Sequence, residues 1–145
     1  MKILLVDDDE NDVLFVKHAT EKSQNGHSVQ AVHDGEDAIR YLRGEGKYSD
    51  RKKFPLPTVI VSDLKMPRLN GLHFLRWLRA HPPCSLTPTI IFSNSREEKD
   101  VQEAYRLGAN AYICKPASLK ELTDLLHALC VFWSRYEPPP VPFSC

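Results

Sequence analysis

The stretch Thr58-Val59-Ile60-Val61-Ser62-Asp63-Leu64-Lys65-Met66-Pro67 sets the reading of this chain. Four of its first five residues are β-branched. The run is too short for a helix, is bounded by Pro57 on one side, and meets a carboxylate on the other. It reads as a fully buried strand that delivers Asp63 to its end. Similar runs occur at Ile3–Val6, Thr89–Phe92 and Ala111–Cys114, with a weaker one at Val29–Val32. Between them the apolar residues take helical spacing. Leu72, Leu75 and Leu78 form one stripe, widened by Phe74 and Trp77. Val101, Ala104 and Tyr105 form another, with Gly108 as the stop, and a last helix from about Ser118 to Tyr136 carries Leu122, Leu125, Leu126, Leu129 and Trp133. Five βα repeats predict a parallel sheet with helices on both faces. Ligands of such sheets sit outside the C-terminal ends of the strands.

The residues at those ends form a chemical set. The first strand runs into Asp7-Asp8-Asp9-Glu10, the third into Asp63, the fourth into Ser93 and the fifth into Lys115-Pro116. Adjacent acids repel unless something neutralises them. One or two are explained by a helix N-cap at Asp9 or Asn11. A parallel neighbour that brings Asp63 beside Asp7 and Asp8 would explain the rest, because converging carboxylates suit a hard divalent cation such as Mg2+. Carboxylates, metal, hydroxyl and ammonium together describe phosphoryl transfer, with the Asp63 carboxylate as the nucleophile.

This combination resembles the receiver domain of two-component response regulators. Its segments are Val-Asp-Asp-Asp, Val-Ser-Asp-Leu-Lys-Met-Pro with Asn70-Gly71, Phe-Ser-Asn-Ser, and Ala-Tyr-Ile-Cys-Lys-Pro, spread over about residues 2–130. The resemblance implies an α/β, flavodoxin-like (CheY-like), doubly wound five-stranded parallel sheet of order 2-1-3-4-5. It implies Asp63 as phosphoacceptor, and a metal held by Asp7, Asp8, Asp63 and the backbone carbonyl of Lys65. Ser93 would be the switch hydroxyl, Tyr112 the aromatic switch, and Lys115 the phosphate-binding cation. Lys65, Asn94 and Ser95 would border the path of attacking water and tune rates. Asn94 departs from the family, which usually has a small residue there. The long connection from Gly44 to Pro57 and the Phe132-Trp133 ending before prolines are similar to stand-alone regulators associated with phytochromes. That similarity implies a histidine kinase partner of the phytochrome type.

Two other readings compete. Asp7-x-Asp9 fits the nucleophile motif of a haloacid dehalogenase-type phosphatase, but beyond Lys115 the acids are Glu121, Asp124 and Glu137, on a helix or in the tail. A degenerate receiver that binds partners without being phosphorylated is the third.

The chain has 145 residues, 42% hydrophobic and 26% charged, with 19 basic and 19 acidic side chains that cancel. That excludes broad attraction to nucleic acid or membranes. No apolar run approaches the roughly 20 residues of a membrane span, so a cytoplasmic signalling protein is expected. Cys84, Cys114, Cys130 and Cys145 show no metal-ligand spacing and are expected as reduced thiols. The receiver is expected over 1–136, with a Pro-rich tail over 137–145. With no room for an output module, output is expected through contact with a downstream protein or phosphotransfer protein. Val131, Phe132, Trp133 and Tyr136 give the last helix more apolar surface than one buried face needs, so a homodimer through this region is expected.

Overall fold

The computed structural model describes residues 1–22, 26–82 and 84–137. The elements alternate as expected: β1 (Lys2–Val6), α1 (Glu10–Lys22), β2 (Ser28–Val32), α2 (Gly35–Arg43), β3 (Val59–Ser62), α3 (Gly71–Ala80), β4 (Thr89–Ser93), α4 (Glu98–Arg106), β5 (Ala111–Cys114) and α5 (Leu119–Ser134). All strand pairs are parallel and the order is β2-β1-β3-β4-β5. This is the doubly wound order that the resemblance implied.

The two-residue period of the strands sorts the core into two faces. Leu4, Val6 and Ile60 point to one side, where Ala38, Tyr41 and Leu42 of α2 and Phe74 and Leu78 of α3 cover them. Ile3, Leu5, Val59, Val61, Ile90 and Phe92 point to the other, against Val13 and Val16 of α1 and Leu122 and Leu126 of α5. Ile91 continues the first face towards Ala104 of α4. The inner strands β1, β3 and β4 are therefore buried on both sides, which is why they read as continuous apolar runs, whereas the edge strands β2 and β5 are only half-buried.

The connection from Gly44 to Pro57 is better ordered than an irregular loop. A 3-10 turn (Gly46–Ser49) presents Tyr48, which with Phe54 packs on Tyr41 of α2. Arg51 donates to the carbonyls of Tyr41 at 2.9 Å and Leu42 at 2.7 Å, satisfying the C-terminus of α2. The helical and strand periodicities carry no such information, because this packing depends on three separate aromatics.

Cys114 and Cys130 are free thiols, as expected. Cys84 is disulfide-bonded, against that expectation; separation in sequence says nothing about proximity in space. The tail from 138 onward lies outside the described residues. Among the described residues no helix is long and apolar enough to cross a membrane.

Candidate phosphoacceptor site

Backbone bonds just past the strand ends put the polar residues in register. Asp7 N–H donates to Val32 O at 3.0 Å, Asp63 N–H to Val6 O at 2.8 Å, and Lys115 N–H to Ser93 O at 2.8 Å. Each ladder thus extends by one rung and fixes the side chain that follows it. Carboxylate oxygens of Asp7, Asp8 and Asp63 all come within 4.8 Å of one another. The expected trio therefore converges.

Lys115 is the cation of this pocket, with a side chain only 6% exposed. Its Nζ donates to Asp7 Oδ2 at 3.0 Å, Asp63 Oδ2 at 3.0 Å and Asp12 Oδ2 at 2.7 Å. Burial alone would lower its pKa. The hydrogen bond to Asp12 and the charges of Asp7 and Asp63 outweigh burial and hold it above the ordinary lysine value. Asp7 is 1% exposed. Burial pushes its carboxyl up to about 6, although the Asp9 amide, at 2.9 Å, and the Lys115 ammonium pull it down.

The three acids fit a divalent metal. All donors are carboxylate oxygens, Asp8 opens to solvent, and the buried Asp7 gains most from a neutralising cation. Asp63 Oδ1 accepts from the Leu64 amide at 2.6 Å, which leaves Oδ2 facing Lys115. Lys65 follows in the β3–α3 loop with an exposed side chain.

Ser93 and Tyr112 share one hub. Ser93 is buried and its Oγ accepts from the Ser95 amide at 3.1 Å. Tyr112 OH donates to Ser95 O at 2.9 Å, and the Tyr112 amide donates to Tyr105 OH at 3.1 Å. Ser95 Oγ itself donates to Asp100 Oδ2 at 2.5 Å, so it is turned towards the start of α4. Asn94 is exposed.

Two participants escape the sequence reading. Asp12 belongs to the first turn of α1, where an acid is ordinarily credited to the helix dipole. Its proximity to Lys115 has a faint signal in its position, because a helix starting at Glu10 keeps its first turn beside the end of β1. Arg68 has no signal at all. It adopts φ 62° and its Nε donates at 2.6 Å to the buried Asp34, the N-cap of α2. With the Gly35 amide donating to Leu69 O at 2.9 Å, this ties the β3–α3 loop to α2.

Asp9 does not enter the pocket. Its Oδ1 accepts from the amides of Asn11 at 2.9 Å and Asp12 at 3.3 Å, so it caps α1. The phosphatase reading needs Asp9 beside Asp7 as a second catalytic acid, and loses it to this cap.

A doubly wound sheet with an acidic trio and a lysine at its strand ends has the frame of a receiver-type signalling domain. The chain belongs to the response regulator receiver domain family, which matches residues 3–127. It is similar to response regulator Rcp1 from a Synechocystis species, at 30% identity over 131 residues, covering 90% of this chain and 87% of that protein. The phosphorylated cyanobacterial phytochrome response regulator RcpA superposes with a TM-score of 0.89 at 32% identity, over 96% of this chain and 98% of that one. The Mn2+-bound form of Rcp1 superposes with a TM-score of 0.86 at 28% identity, over 96% and 99%. The chain thus resembles phytochrome-associated response regulators.

Proposed function

We propose that the chain accepts a phosphoryl group on Asp63 from a phytochrome-type histidine kinase in the cytoplasm, with Mg2+ held by Asp7, Asp8, Asp63 and the Lys65 carbonyl. The observation that carries this is the position of Asp63. Its Oδ2 lies 3.0 Å from the Lys115 ammonium and its carboxylate belongs to the trio with Asp7 and Asp8. A carboxylate oxygen attacks the phosphorus of the kinase phosphohistidine. The P–O bond forms as the P–N bond breaks, and its electron pair leaves on the imidazole. When bound, Mg2+ offsets charge on the phosphoryl oxygens. Lys115 does the same from the other side.

The acyl phosphate adds roughly −1.5 to −2 charges. Ser93 Oγ, now an acceptor for the Ser95 amide, turns to donate to the phosphoryl group. Because Tyr112 holds the same residue through Ser95 O, movement of Ser93 reaches β5 and α4 through one loop. The exposed side chains of Lys65 and Asn94 tune access of water to Asp63, whereas Ser95 tunes rates through the loop it holds. Phosphotransfer from acetyl phosphate with Mg2+ should modify the wild type and leave Asp63→Asn unmodified, read by intact mass. Equal modification of both sinks the assignment, and an unmodified wild type favours the degenerate receiver.

We also assign α5 to a homodimer contact, with output passing to a downstream protein or phosphotransfer protein. Trp133 packs on the core and on Tyr136, so the free apolar surface at the C-terminal end of α5 narrows to Val131, 44% exposed, and Phe132, 62% exposed. A two-fold contact brings the same patch from a second copy, and an apolar pair is self-complementary. Analytical ultracentrifugation at micromolar concentration should show a dimer that Phe132→Glu converts to monomer. A monomeric wild type, with and without a phosphoryl analogue, rules the contact out.

A further inference from the structure

We propose that Asp12 is a positioning residue that holds the Lys115 ammonium partly off the metal-binding oxygens, so that a divalent cation and Lys115 occupy the pocket together. The inference rests on the phosphoacceptor reading of this pocket. It starts from the partners of Nζ. Two of them, Asp7 Oδ2 and Asp63 Oδ2, belong to the trio that would bind the metal. The third and nearest, Asp12 Oδ2 at 2.7 Å, does not.

An ammonium and a dication that share two carboxylates repel each other. Without Asp12, Lys115 has only the metal's own ligands as counter-ions, and the metal must displace it from them. With Asp12, the ammonium keeps a charged hydrogen bond when the metal loads. It remains within reach of an incoming phosphoryl oxygen. The position of Asp12 is set by its helix. Val13 and Val16 are buried against the sheet, and the Asp12 amide is held by Asp9 Oδ1 at 3.3 Å. The Asp12 side chain is 23% exposed, so burial does not require a lysine partner. If Asp12 served only the helix dipole or the general negative field, its effect on metal binding would not depend on Lys115.

A double-mutant cycle on the unphosphorylated full chain separates these roles. Mg2+ affinity is measured by calorimetry for wild type, Asp12→Asn, Lys115→Met and the double variant, with thermal melts confirming that each folds. Asp12→Asn is expected to weaken Mg2+ about tenfold when Lys115 is present and less than about twofold when it is Met. Asp12→Glu, which keeps the charge, should recover most of the affinity. Lys115→Gln serves as the neutral background if the Met variant does not fold. Equal weakening by Asp12→Asn in both backgrounds overturns the proposal. A wild type that binds no Mg2+ overturns the metal reading itself, a different failure from an additive cycle.

Discussion

Asp7→Asn is expected to make the metal-free protein more stable at neutral pH while cutting Mg2+ affinity at least tenfold. The carboxyl of Asp7 is pushed up to about 6 by burial, from 3.8 in the unfolded chain. The folded state therefore binds more protons than the unfolded state between those values. Stability falls as pH rises through that window, and above pH 6 the ionised Asp7 costs the fold about 3 kcal/mol. Asparagine keeps an oxygen for the Asp9 amide and carries no charge to desolvate. The raised value already includes the pull of Lys115, so burying the amide, at about 1 kcal/mol, leaves a net gain of about 2 kcal/mol. Thermal melts in chelator should show the variant ahead above pH 6, with the gap closing towards pH 4. Mg2+ should narrow the gap: at 100 times the wild-type Kd it stabilises the wild type by about 2.7 kcal/mol, but a variant of tenfold weaker affinity by only about 1.4 kcal/mol. A variant less stable than wild type in chelator at pH 7 would refute the account. The site thus stores a cost in the apo fold that a bound cation removes.

The legible and illegible parts of this molecule divide by how their causes are written. The inner strands β1, β3 and β4 are covered on both faces, so each appears as an apolar run, and the polar residue ending each of them is a candidate site residue. Asp7, Asp63, Ser93 and Lys115 could be placed that way because the strand ladders continue by one rung to hold Asp7, Asp63 and Lys115. Strand order is different. Nothing in a βα repeat says that β1 lies between β2 and β3, and only the motif resemblance supplied it. Asp12 was hidden because an acid in a first helical turn already has an ordinary explanation. The Arg68–Asp34 tie was hidden because a non-glycine residue at positive φ leaves no mark in composition. The narrowing of the α5 patch follows from Trp133, which helical spacing had already assigned to the buried stripe and the surface count used again.

Gly71→Ala should be the most damaging conservative change outside the pocket, because its cause is distance rather than flexibility. A Cβ at this position would stand 2.1 Å from Asp63 O and 3.0 Å from Leu64 Cα. Both are backbone atoms, so no side chain can swing away. The segment that must move carries Asp63. It is also held from the other direction, since the Gly71 amide donates to Leu64 O at 2.8 Å and Arg68 ties the loop to α2. Overpacking of this kind costs about 3 kcal/mol. A displacement of Asp63 by even about 1 Å should lower the phosphorylation rate by roughly a hundredfold. Asn70→Ala separates the two effects. Asn70 caps α3 by accepting the His73 amide at 3.0 Å, and its loss should cost about 1 kcal/mol while leaving the Asp63 backbone in place. The expected result is a modest loss of stability with near-normal phosphorylation for Asn70→Ala, and large losses of both for Gly71→Ala. Wild-type melting and phosphorylation in Gly71→Ala would mean that the β3–α3 loop yields without cost, and that the close approach of Gly71 to Asp63 does not position the site.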